Sequence, residues 1–172
     1  QVRALDARRL CHPKQASLVE TLVPRRARSV VALCGRQSGK SHGAVMGALE
    51  LARQNADVAV LYVTSTDASV RKMAFEPAQR MNRDHALGGE PNLADRTMRF
   101  PNGSVIYFIG ADSDRKIERL RGTPNLALCI IDECGLYVSE KLSKMVEAVT
   151  PGLRPLAGAL VHDPKLIILD EP

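Results

Sequence analysis

The chain has 172 residues, 45% hydrophobic and 25% charged, which excludes a disordered polymer and suits one domain of roughly 100–200 residues. It carries 24 Lys and Arg against 19 Asp and Glu, a formal net charge of +5. No run of about 18 apolar residues occurs, which argues against a helical membrane span, and 3% aromatics without Trp weakens any base-stacking single-strand binder.

The charge is uneven along the chain. Residues 1–40 hold nine basic side chains (Arg3, Arg8, Arg9, Lys14, Arg25, Arg26, Arg28, Arg36, Lys40) and two acids (Asp6, Glu20), so +7, and the rest carries −2. This predicts either a polyanion partner near the N-terminal end or a solvated basic face. The opening QVRALDARRL lacks the apolar centre of a signal peptide. Cys11, Cys34, Cys129 and Cys134 form no CxxC pair, and His12, His42, His85 and His162 are too scattered for a zinc site. Cys34 and Cys129 lie in apolar runs and are expected as buried, reduced thiols in an intracellular compartment.

The elements follow in chain order. Ser29–Cys34 is an apolar run ending at Gly35, which predicts a buried strand. After Ser41 the spacing of Val45, Ala48, Leu49 and Ala52 is helical. Val58–Val63 is a second buried strand. Thr66 or Asp67 caps a helix bearing Val70, Met73 and Ala74, which Pro77 should kink or end. Thr97–Phe108 reads as a hairpin, with Asn102-Gly103 as a two-residue turn. Leu126–Ile131 is another buried strand running into Asp132. Ser139 is the expected cap of a helix carrying Leu142, Met145, Val146 and Val149. Lys165–Leu169 is a last strand, running into Asp170. Alternating apolar strands and helices predict an α/β fold with a mainly parallel sheet covered on both faces and a β-hairpin insertion.

Two stretches carry chemistry. Cys34-Gly35-Arg36-Gln37-Ser38-Gly39-Lys40-Ser41 lies between a strand and a helix, the context of a phosphate-binding loop. Backbone N–H groups and the helix N-terminus would hold phosphates, Lys40 would reach the β- and γ-phosphates of ATP, and Ser41 would bind Mg2+. The usual first glycine of the loop is displaced by one residue: Cys34 stands in its place. Downstream, the strand ending at Ile131 delivers Asp132 and Glu133 to its carboxyl end, where open α/β sheets bind ligands. Asp132 suits the Mg2+ shell, and Glu133 suits orienting and polarising an attacking water.

Gly35-Arg36-Gln37-Ser38-Gly39-Lys40-Ser41 resembles the deviant phosphate loop of large terminase subunits, the DNA-packaging motors of tailed bacteriophages. His12-Pro13-Lys14-Gln15 resembles that family's upstream glutamine motif. Phe100–Ile109 followed by Arg119-Leu120-Arg121-Gly122 resembles its hairpin and arginine-glycine segment, and Ile130-Ile131-Asp132-Glu133-Cys134-Gly135 its acidic strand end. The likeness spans about residues 10–155. It implies an ASCE-type P-loop ATPase that hydrolyses ATP with Mg2+ and drives double-stranded DNA into a capsid. It implies Gln15 as an adenine contact, Arg36 as a γ-phosphate or coupling arginine, and Arg121 as a finger toward a neighbouring subunit. The implied partners are the phage portal and the small terminase subunit, and the implied place is the procapsid portal in the infected bacterial cytoplasm. The chain would be a homo-oligomeric ring when assembled and a monomer alone, with no membrane contact.

The chain departs from the family in two ways. It is too short for the family's C-terminal nuclease domain. Thr150-Pro151 follows a helix, where the family's coupling motif follows a strand. The expected organisation is therefore an ATPase domain over 1–155 and a C-terminal strand or tail over 156–172. That tail, ending Leu166-Ile167-Ile168-Leu169-Asp170-Glu171-Pro172, resembles the acidic strand of ABC-type ATPases, although residues 138–155 hold no ABC signature. Asp132 with Glu133 is the favoured working pair. An ABC-type ATPase using Asp170 and Glu171, or a nucleotide-binding regulator with little turnover, are the alternatives.

Overall fold

The computed structural model describes residues 11–22, 29–34, 38–153 and 165–170. Within them, helix α1 spans Pro13–Leu22, strand β1 Ser29–Leu33, helix α2 Lys40–Gln54 and strand β2 Ala59–Thr64. A short helix α3 (Asp67–Val70) passes through a π turn (Arg71–Phe75) into α4 (Glu76–Asp84). Strands β3 (Glu90–Asn92), β4 (Thr97–Arg99) and β5 (Val105–Gly110) follow, then α5 (Asp114–Glu118), β6 (Leu126–Ile131), a 3-10 turn (Cys134–Leu136), α6 (Ser139–Val149) and β7 (Lys165–Asp170).

The described strands form one sheet in the order β1-β7-β6-β2-β5-β4-β3. Pairings from β1 through β5 are parallel, and β5-β4 and β4-β3 are antiparallel. Residues 165–170 therefore lie within the sheet, between the strand before the glycine loop and the strand that ends at Asp132. Every residue of β2 and of β6 is buried. The period of two sorts them: Val60, Tyr62, Ile106, Phe108 and Ile130 pack with Val45 and Leu49 of α2, while Leu61, Val63, Cys129 and Ile131 pack with Ile117, Met145 and Val149. Helices cover both faces of such a sheet because neither face has polar residues to show water. No helix of the described residues is long and apolar enough to cross a membrane.

Several expectations need correcting. The run at 29–34 is not buried throughout: Val31 is 63% exposed, because β1 is the end strand of the described sheet. Cys34, just after it, is half-buried, whereas Cys129 in the central strand β6 is fully buried and its thiol pKa is pushed up by that burial. Pro77 does not end its helical stretch, which runs on to Asp84. The π turn shifts the hydrogen-bond register ahead of it, and α4 starts at Glu76 with Pro77 in its first turn, where an N–H is not needed. Thr66 does cap α3, accepting from Ser69 N at 3.0 Å. Ser139 caps nothing: it is already the first helical residue, and Val138 holds the cap position.

The hairpin turn is longer than two residues. Gly103 N donates to Phe100 O and Phe100 N to Ser104 O, both near 3 Å (3.0 and 2.9), so Pro101, Asn102 and Gly103 form a three-residue loop. Pro101 presets the φ of a type I turn, and Gly103 takes the left-handed position after it, at φ 87°. Asn102 then donates to the carbonyls of Ala52 (2.9 Å), Arg53 (3.1 Å) and Asn55 (2.8 Å). The hairpin thereby satisfies the C-terminal carbonyls of α2 and ties that helix to β5.

Candidate active site

The site lies where the start of α2 meets the carboxyl ends of β2 and β6. Gly39 immediately precedes α2 in the left-handed conformation, φ 77°. Gln15 of α1 leans on it: its Nε2 donates to Gly39 O at 3.1 Å, and its Oε1 accepts from His12 N at 2.9 Å. A Cβ on Gly39 would collide with the Gln15 amide nitrogen. The structure thus gives Gln15 the work of bracing the loop glycine. Lys40, the first residue of α2, is buried at 8% exposure.

Asp132 is fully buried and all its described bonds converge on one geometry. Its backbone N–H bonds Val63 O at 2.9 Å, extending the β6-β2 ladder by one residue. Ser41 Oγ donates to its Oδ2 at 2.6 Å, and Tyr62 Oη donates to the same oxygen at 2.8 Å. Glu133 N–H donates to Oδ1 at 2.9 Å. Burial, then the Asp132 charge, push the Tyr62 hydroxyl well above its ordinary pKa, so it remains a proton donor.

Glu133 turns the chain off the strand in a left-handed conformation, φ 60° and ψ 40°, at a cost of about 1–2 kcal/mol for a non-glycine residue. The turn sends its half-buried side chain back over the sheet end, where Ser65 Oγ donates to Oε2 at 3.1 Å. Tyr137, four residues on, has its hydroxyl buried without a hydrogen-bond partner among the described residues, and burial raises its pKa strongly.

The structure therefore joins Ser41, Asp132 and Glu133 in one cluster, with Gly39 and Lys40 adjoining through the helix start. It does not join Arg121, which is half-exposed and pairs with Glu118 at 2.8 Å. Gly35, Arg36, Gln37 and Glu171 lie outside the described residues, and Ser38 is exposed. Asp170 ends β7 opposite Leu33, at the same end of the sheet as Asp132. Two members of the cluster, Tyr62 and Ser65, were not legible as site residues. Their one signal is position: a hydroxyl-bearing aromatic inside an otherwise apolar strand, and a serine just past that strand's carboxyl end.

By sequence, the chain matches no family model and no curated protein. Solved structures do match. The large terminase of the thermophilic bacteriophage D6E superposes over 93% of this chain with TM-score 0.71 at 16% identity, and that of bacteriophage HK97 over 93% with 0.66 at 15%. The ATPase domain of the Thermus phage P74-26 large terminase matches over 99% of this chain, with TM-score 0.68 at 22% identity and 70% of its own length covered. D6E structures holding ADP and ATP-γ-S also match, over 92% of this chain with TM-scores 0.65 and 0.64 at 18% and 16% identity, and 38% and 37% of their own lengths covered. The chain spans 39% of the D6E protein and 33% of the HK97 protein. A mainly parallel sheet, Gly39 before a buried helix, and acids past the end of a central strand give this chain the α/β fold of the phage large-terminase ATPase domain structures.

Proposed function

We propose that this chain is the ATPase of a phage DNA-packaging motor, hydrolysing ATP with Mg2+ to move double-stranded DNA into a capsid. The observation that carries the reading is the 2.6 Å bond from Ser41 to Asp132, which couples the helix after the glycine loop to the acidic strand end. The likeness to large-terminase domains, one of them bound to ADP and ATP-γ-S, supports it.

The residues suit the cofactors. Ser41 and Asp132 are hard oxygen donors, as Mg2+ requires. Among the described residues no cluster of three or more His, Cys, Asp or Glu could cage a metal alone. That fits Mg2+, which is usually held by one or two carboxylates plus phosphates and waters. When bound, the cation would neutralise charge on the phosphate oxygens. Lys40 would face the β- and γ-phosphates, with Gly35, Arg36, Gln37, Ser38 and Gly39 supplying the loop around them. Glu133 would orient the attacking water and take its proton. Arg36 would answer to the γ-phosphate, Gln15 would release Gly39 to touch adenine, and Arg121, on the surface beside Glu118, would reach a neighbouring subunit. The expected partners are the portal, the small terminase subunit and further copies in a ring, at the procapsid in the infected cell.

A second reading, an ABC-type site on Asp170 and Glu171, has one observation in its favour: Asp170 ends β7 at the same end of the sheet as Asp132. An ATPase assay separates the two. Glu133→Gln should lower turnover by roughly 100-fold or more with ATP still bound, and Glu171→Gln should leave it near the parent rate. Loss in the Glu171 variant alone would overturn the assignment. Loss in neither, with ATP bound, would favour a nucleotide-sensing regulator. Turnover indifferent to duplex DNA, portal and neighbouring subunits would count against a packaging motor. Ser65→Ala should lower the rate by about 3–10-fold at unchanged ATP affinity, the worth of one hydrogen bond to the carboxylate. An equal loss of affinity would mean Ser65 acts on the fold instead.

A further inference from the structure

We propose that Tyr62 is a positioning residue for the divalent cation, holding the Asp132 carboxylate in the orientation the cation would need. The inference rests on reading Ser41 and Asp132 as the Mg2+ pair. It starts from the count of donors on one carboxylate. Oδ1 receives the Glu133 N–H, and Oδ2 receives both Ser41 and Tyr62. The Ser41 hydroxyl keeps lone pairs for a cation while its proton stays on Oδ2. The carboxylate behind it must then hold one orientation.

Tyr62 is the side-chain donor fixed by packing. Its ring is fully buried in the central strand β2, so the hydroxyl has one place to be. It stacks on Phe108 with ring centroids 6.2 Å apart at 28°, and Phe108 in turn meets Phe75 at 5.2 Å. Together Tyr62 and the Glu133 N–H pin both oxygens of Asp132, which fixes the plane of the carboxylate. A phenylalanine would fill the same space, so the bond to Asp132 is what the hydroxyl adds. Donors of this kind, behind a metal ligand, change metal affinity by about 10–100-fold when removed.

Titration of the full chain with a fluorescent ADP analogue, with and without Mg2+, tests the role. Tyr62→Phe should bind the analogue in EDTA as the parent does. The Mg2+ concentration giving half of the metal-dependent tightening should rise about 10-fold. Tyr62→Met, which lacks the hydroxyl in a different shape, should give the same shift if the phenylalanine variant folds poorly. Phe108→Leu weakens the same core without touching Asp132 and should lower thermal stability with the Mg2+ midpoint unmoved. An unchanged midpoint in folded Tyr62 variants, or an equal shift in Phe108→Leu, would overturn the proposal. Asp132→Asn distinguishes the levels. If it loses the Mg2+ response and the Tyr62 variants keep theirs, only the positioning role fails. If Asp132→Asn itself keeps the response, the metal pair is wrong and the inference falls with it.

Discussion

Lys40→Ala is expected to abolish ATP turnover, by on the order of 1,000-fold or more, while leaving a folded chain. The physical case lies in where the cation sits. Lys40 opens α2, directly after the left-handed Gly39, and is buried. A helix N-terminus carries roughly half a positive charge, and Lys40 places a full one beside it, where phosphates would lie. Phosphoryl transfer needs charge neutralised at such fixed positions. Removing the ammonium should therefore strike the chemistry far harder than the fold. Circular dichroism should return the parent spectrum, with a midpoint shifted by no more than about 4 °C, near what 1 kcal/mol gives a domain of this size. Turnover within tenfold of the parent would refute the phosphate-loop assignment. Loss of the folded spectrum would make Lys40 a structural residue.

Gly110→Ala is expected to cost about 3 kcal/mol or more of stability, lowering the midpoint by roughly 10 °C. Gly110 ends β5 opposite Thr64 of β2, and the start of α3 crosses directly over it. A Cβ there would stand 2.6 Å from Asp67 Cα and closer still to Asp67 N and Thr66 C. These are backbone atoms, so no side-chain rotation relieves the contact. The backbone of Gly110 is not in the left-handed region, so the penalty is steric overlap and not a forced φ. The segment that must move is anchored by the Thr66 cap and by the Asp67 ion pairs to Arg96 (2.9 Å) and Lys116 (2.7 Å). Thermal unfolding followed by circular dichroism measures the loss. A midpoint within about 2 °C of the parent would mean that β5 and α3 are not packed backbone to backbone.

Local physics made much of this protein legible. Val45, Ala48, Leu49 and Ala52 announce α2 because a helix that buries one face must repeat its apolar residues at helical spacing. The apolar runs at 58–63 and 126–131 announce strands covered on both faces, and both are buried at every residue. Gly39-Lys40-Ser41 and Asp132-Glu133 could be singled out because a loop between strand and helix and acids past an apolar strand are features of contiguous sequence. What sequence misjudged depended on neighbours. An apolar run reads alike in a central and an end strand, so the exposure of Val31 follows only from β1 lying at the end of the described order. The turn at 101–103 depended on how Pro101 set the bend before Gly103 could act.

The sequence by itself determined the kind of fold and the two stretches of chemistry, because periodicity and short motifs act within a few residues. Only the tertiary structure decided which of those residues meet. It laid β7 between β1 and β6, and its pairing with β1 joins residues more than a hundred apart, which no local pattern encodes. It brought Ser41 to Asp132 across 91 positions, and Tyr62 to the same oxygen across 70. Strand order and sheet register are set by packing both faces of the whole sheet at once. The partners of Asp132 are a consequence of that packing.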